Sequence, residues 1–154
     1  MTAPKTRVIG AHIHAPATEK ENAEIVIDFG QFGSLDSPIR GSTTVDNQLR
    51  NYLIEGLAYV NIHSLENVGG EFRGQILIDR IDDSVAKFKV NLNSGNEVPP
   101  IQSNASGKGS LELNLDTGLL VWNIVYANEN LQTRSHGPGD LPPEITFPPY
   151  AKEF

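Results

Sequence analysis

The stretch GLAYVNIHSLENVGGEFRGQI (56–76) decides the fold. Two short runs flank Val68-Gly69-Gly70, and in each the apolar and polar side chains alternate, which is the period of a half-buried strand. Ala58, Val60 and Ile62 share one face of the first run, and Tyr59, Asn61 and His63 share the other. In the second run Phe72, Ile76 and Ile78 form the apolar set, with Glu71, Arg73 and Gln75 opposite. A turn at Val68-Gly69-Gly70 makes the two runs a hairpin. Pairing His63 with Glu71 then sets Asn61 against Arg73 and Tyr59 against Gln75, so one sheet face carries all six polar residues.

Outward from this hairpin the same grammar repeats. Short β-branched segments between turn signals predict strands at 6–15, 23–29, 85–93, 108–115, 119–127 and 131–136, in addition to 57–63 and 71–79. Asp116-Thr117-Gly118 joins 108–115 to 119–127 as a second hairpin. On 119–127 the residues Leu120, Trp122, Ile124 and Tyr126 share a face and are assigned to the core. One helix is expected, capped by Asp46, with Leu49, Tyr52 and Leu53 at i, i+3, i+4 and Gly56 ending it. The spacing predicts an all-β sandwich of about 7–8 strands with one short helix. After Gly137, Pro138, Pro142, Pro143, Pro148 and Pro149 deny the backbone ladder its donors, so 138–154 is expected to be an extended tail.

Composition narrows the function classes. The chain has 154 residues and a formal charge of −7, from 12 Lys+Arg against 19 Asp+Glu, so one domain is expected and a phosphate-tracking nucleic-acid binder is not. No apolar run reaches the roughly 20 residues of a membrane span. With no cysteine there is no disulfide scaffold, thiolate metal site or Cys nucleophile. The start MTAPKTRVIG lacks a signal-peptide apolar core, which implies either no export or a leader already removed. G-x-S-x-G, phosphate-loop, G-x-G-x-x-G and H-E-x-x-H patterns are all missing, so no catalytic residue is assigned. Glu19, Glu21 and Glu24 around Lys20 read as a solvated loop.

The polar face is where chemistry is expected. In GAHIHA (10–15), Ala11 and Ile13 point one way and His12 and His14 the other. If this strand lies beside the 56–76 hairpin, His12, His14 and His63 share a face. Imidazoles suit copper and zinc, and an i, i+2 pair on a strand supplies two ligands to one ion. Asn61 and Glu71 are candidate partners that orient the imidazoles, and His136 is a candidate fourth ligand. The competing reading is a hydrogen-bonded polar ladder without metal, with Glu71 and Arg73 as ordinary solvated charges.

GAHIHAPA (10–17), GLAYVNIHSLENVGGEFRGQI (56–76) and LNSGNEVPP (92–100) together resemble the signature stretches of the CHRD, or chordin-type, domain. The resemblance implies an immunoglobulin-like or superoxide-dismutase-like β-sandwich in an extracellular or cell-envelope protein. It also implies a permuted order, with the family's C-terminal half at 6–79 and its N-terminal half at 85–136, inside a single unit at 1–137. The segment LQTRSHGP (131–138) echoes VIGAHIHAP (8–16), with Arg134 where His12 stands. The halves would close within one chain, or between chains as a homo-oligomer or head-to-tail assembly.

Three functional readings follow. The first is a non-enzymatic structural, assembly or binding module. The second is a copper- or zinc-binding protein using His12, His14 and His63. The third is a copper redox enzyme similar to superoxide dismutase.

Overall fold

In the computed structural model, residues 6–127 and 131–132 are described. They form β1 (Thr6–His14), β2 (Ile25–Asp28), β3 (Ile39–Thr44), α1 (Asn47–Ile54), β4 (Tyr59–Ser64), β5 (Phe72–Gln75), β6 (Leu77–Asp82), β7 (Val85–Asn93), β8 (Ser106–Asn114), β9 (Leu119–Ala127) and β10 (Leu131–Gln132). Hydrogen bonds run along the path β10-β1-β4-β5-β7-β8-β9-β3, with β2 also on β1 and β6 also on β7. Every pairing is antiparallel except β1 with β10. The path curls because β5 meets β7 through one pair only, Arg73 with Asn93. It folds back as a sandwich, with β2-β1-β4-β5 facing β6-β7-β8-β9-β3.

Alternation explains the core. Ala11, Ile13, Val60, Ile62 and Phe72 point inward from the first layer, and Phe88, Val90, Leu92, Leu111, Leu113, Leu120, Trp122, Ile124 and Tyr126 from the second. Rings meet across the gap: Phe72 with Tyr126 at 5.9 Å and Phe29 with Trp122 at 4.8 Å. Helix α1 adds Leu49 and Leu53, and Asp46 caps it by accepting from the Leu49 N–H at 2.9 Å. The central hairpin has the expected register, Tyr59 with Gln75 and Asn61 with Arg73. The second hairpin pairs β8 with β9 from Ser106–Ala127 to Leu113–Leu120.

Two expectations need correction. The run 71–79 is not one strand. It breaks at Ile76, which is fully buried, and β6 then pairs with β7 with every residue exposed, Ile78 included. The chain is changing layers at that point, so the alternation counted through Ile78 reverses. Glu71 and Arg73 are not solvated charges either, at 2% and 1% exposure. Strand β3 was not anticipated. Its neighbour on β9 is Trp122, and a Cβ on Gly41 would come within 2.6 Å of that ring. Positions 133–154, including His136 and the proline-rich tail, lie outside the described residues.

Candidate metal centre

β1 and β4 pair antiparallel with His12 opposite Asn61, His14 opposite Tyr59 and Gly10 opposite His63. Because side chains alternate, this register puts His12, His14 and His63 on the one polar face. One ring nitrogen from each lies within 4.8 Å of the others. Ring centroids are 4.8 Å apart for His12 and His63, 5.5 Å for His12 and His14, and 6.1 Å for His14 and His63.

The second nitrogen of two rings is held by main chain. His14 Nδ1 is 2.9 Å from the Ala23 carbonyl and His63 Nδ1 is 2.9 Å from the Val68 carbonyl. A carbonyl only accepts, so each Nδ1 carries the proton and each Nε2 keeps its lone pair. Both Nε2 atoms are buried without a hydrogen-bond partner among the described residues, as is His12 Nδ1. His12 Nε2 faces Asp28 Oδ1 at 3.8 Å. Burial is the largest cause that pushes the His14 pKa down to about 4, and His12, His63 and Arg73 lower it further against the Ala23 bond. His12 is lowered from its ordinary value by burial and by His63, against the pull of Asp28. Near neutral pH both rings are therefore in the form that ligates metal.

Behind His14 stands a stacked column. The Tyr59 ring lies parallel to His14 at 4.8 Å, and the Arg73 guanidinium sits over the Tyr59 ring, 3.5 Å from its centroid. Arg73 donates to Asn22 Oδ1 at 2.8 Å and to the carbonyls of Thr18 at 3.0 Å and Glu21 at 2.5 Å. The Tyr59 hydroxyl accepts from the Ala23 N–H at 3.0 Å, so Ala23 is gripped by both rings of the stack.

The expected partners Asn61 and Glu71 are engaged elsewhere. Asn61 Nδ2 donates to Glu97 Oε1 at 3.2 Å. Glu71 Oε1 accepts from the Ser64 hydroxyl and from Asn67 Nδ2, each at 2.6 Å, and Oε2 accepts from the Ser103 hydroxyl. The groups that orient the imidazoles are Ala23 and Val68, with Asp28 beside His12. None of these was singled out from sequence, because a carbonyl is common to every residue and only the fold brings it to the ring. A groove lined by Val26, Phe32, Thr43, Leu49 and Tyr52 between β2, β3 and α1 shares only Asp28 with this site.

Residues 2–76 match the family model of the CHRD domain. No curated protein and no solved structure matches the chain. Among the described residues, no helix is long and apolar enough to cross a membrane.

Proposed function

We propose, from the premise that residues 2–76 match the family model of the CHRD domain, that the chain is a β-sandwich binding module holding one copper or zinc ion on His12, His14 and His63. One observation carries this reading: each of the three histidines has a buried ring nitrogen with no hydrogen-bond partner among the described residues, and one nitrogen from each ring lies in a single cluster. Buried ring nitrogens without partners are costly unless something fills them. A bound ion would supply Lewis acidity there, and three protein ligands would leave it a further coordination position. Tetrahedral ligands about 2.1 Å from an ion stand about 3.4 Å apart, so a pair at the 4.8 Å limit of the cluster would draw in by about 1.4 Å. The Ala23 and Val68 carbonyls keep two rings in the ligating tautomer.

The test is metal content of tag-free full-length protein after loading with copper or zinc and desalting. Near one ion per chain is expected, falling to background in the variant carrying His12→Ala and His14→Ala. No retained metal in the folded parent chain would sink the proposal. His136→Ala decides the fourth ligand: weaker binding would add it to the set. Copper-loaded protein that disproportionates superoxide above the free-ion background would make the site a redox centre.

A second reading, assembly through sheet edges, draws on β2 and β3. Each pairs on one side only among the described residues, and an open edge can accept a strand from another chain. Its test is solution mass of the full chain against a chain ending at Gly137. Placement outside the cell or in its envelope belongs with either reading.

A further inference from the structure

A second buried titratable group lies on this sheet face, and the metal reading does not use it. Glu97 is 6% exposed and follows the 3₁₀ turn Ser94–Asn96. The segment around it comes from the second half of the chain, yet its side chains fasten it to the first half. Besides the bond from Asn61 to Glu97, Asn22 Nδ2 donates to the Val98 carbonyl and Asn96 Nδ2 to the Arg73 carbonyl, each at 2.9 Å. Ser103, at the far end of the segment, donates to Glu71.

The fastening at Glu97 is half complete. Its Oε2 and the Oδ1 of Asn61 are buried with no donor among the described residues. Both oxygens lie against the same backbone carbon: a Cβ on Gly70 would stand 2.7 Å from Oε2 and 2.8 Å from Oδ1. Gly70, at φ 137°, offers only C–H in that direction. Two neighbouring acceptors with nothing to share are an arrangement that one proton completes.

We propose that Glu97 is held as a neutral carboxylic acid, its Oε2–H donating to Asn61 Oδ1 while Asn61 Nδ2 donates back to Oε1. This acid–amide pair is a pH-sensitive latch that fastens the 94–103 segment to β4. The groups around Glu97 are Asn61 from β4, Glu71 and Gly70 from the turn before β5, and Arg73 from β5. Burial, the largest effect, and Glu71 push the Glu97 pKa up to about 7, against the Asn61 bond and the Arg73 charge. Arg73 does not neutralise Glu97 by direct contact, because its guanidinium is committed to Asn22, Thr18 and Glu21. Raising the pH through neutrality removes the proton, sets a bare charge against Asn61 Oδ1 and loosens the segment. The latch shares no residue with the histidine cluster.

The experiment is a pH titration of metal-free full-length protein with ¹³C-labelled glutamate carboxyls, alongside amide hydrogen exchange corrected for intrinsic rates. One glutamate is expected to titrate near pH 7, and its signal should be missing in Glu97→Gln. Protection in 94–103 should fall about 10-fold, the equivalent of one pKa unit, as the parent protein is taken through that transition. In Glu97→Gln the added amide donates permanently, so protection there should not follow pH. Titration of Glu97 in the ordinary carboxylate range would overturn the proposal, as would an unchanged pH response in Glu97→Gln. If Glu97→Gln does not fold, ¹³C resonances of the parent assigned through Asn61 and Gly70 decide the matter alone.

Discussion

The histidine cluster and the Glu97 pair share strand β4, where Asn61 stands between Tyr59 and His63, yet burial acts on them in opposite senses. A dry environment penalises whichever form is charged. For His14 that form carries the extra proton, so burial strips the proton and leaves a lone pair. For Glu97 the charged form lacks the proton, so burial keeps it and leaves a donor. On the two proposals, the first region would take a cation and the second a proton. Glu71 adds a third case: also buried, it has the Ser64, Asn67 and Ser103 side chains donating to it where Glu97, among the described residues, has Asn61 alone. Donor count is what separates the two carboxyls: three side chains donate to Glu71 and one to Glu97.

The largest effect expected from breaking this comparison is at Gly70. A Cβ there enters the Glu97 carboxyl, 2.5 Å from Oε1, at a φ that side chains rarely adopt. Gly70→Ala should cost about 3 kcal/mol or more in a urea titration, from backbone strain and a displaced buried hydrogen bond. A loss below about 1 kcal/mol would mean the carboxyl is not packed as described.

The two titrations come next, and their signs differ. Unfolded His14 takes its proton near 6.5 and folded His14 near 4, so stability is full above 6.5 and is lost as pH falls through 4. Glu97 shifts from 4.5 to about 7, so its stabilisation is full below 4.5 and is lost as pH rises through 7. Each is worth at most about 3 kcal/mol. In metal-free protein, His14→Gln should relieve the acid-side loss and Glu97→Gln the alkaline-side loss, each relative to wild type. Thermal or urea stability from pH 4 to 8 checks both, and same-signed differences would break the contrast.

Metal affinity gives smaller steps. His63→Ala removes one ligand and should weaken copper or zinc binding about 100-fold, or about 2.7 kcal/mol, by competition against a chelator. Asp28→Asn, which changes only a charge 3.8 Å from His12, should weaken it by less than about 10-fold. A larger loss there than at His63 would make Asp28 itself a ligand.

Much of the fold was legible because alternation is a local property. Ala11 and Ile13 against His12 and His14, and Ala58, Val60 and Ile62 against Tyr59, Asn61 and His63, fix two strands and their polar face without reference to the rest of the chain. The hairpin register followed from Val68-Gly69-Gly70. Strand β3 escaped notice because Ile39 is its one buried residue and its fit to β9 depends on a glycine under Trp122. The break at Ile76 is a tertiary event, and alternation cannot see a change of layer. Within the candidate site, the three histidines were legible as a set, whereas the burial of Glu97 was not. Its contact with Asn61 spans 36 residues, and no local pattern announces that a glutamate will be covered.

That two imidazoles lean on main-chain carbonyls has a consequence for how the site tolerates change. No point substitution removes a carbonyl, so the amino acids at 23 and 68 are free to drift provided the backbone keeps its course. Loop length is not free in the same way. Deleting a single residue between Ala15 and Glu24, or between Leu65 and Gly70, would carry the oxygen away from its ring. These two carbonyl contacts are thus guarded against misspelling and exposed to deletion, and insertions or deletions in those two loops are the changes that would break them.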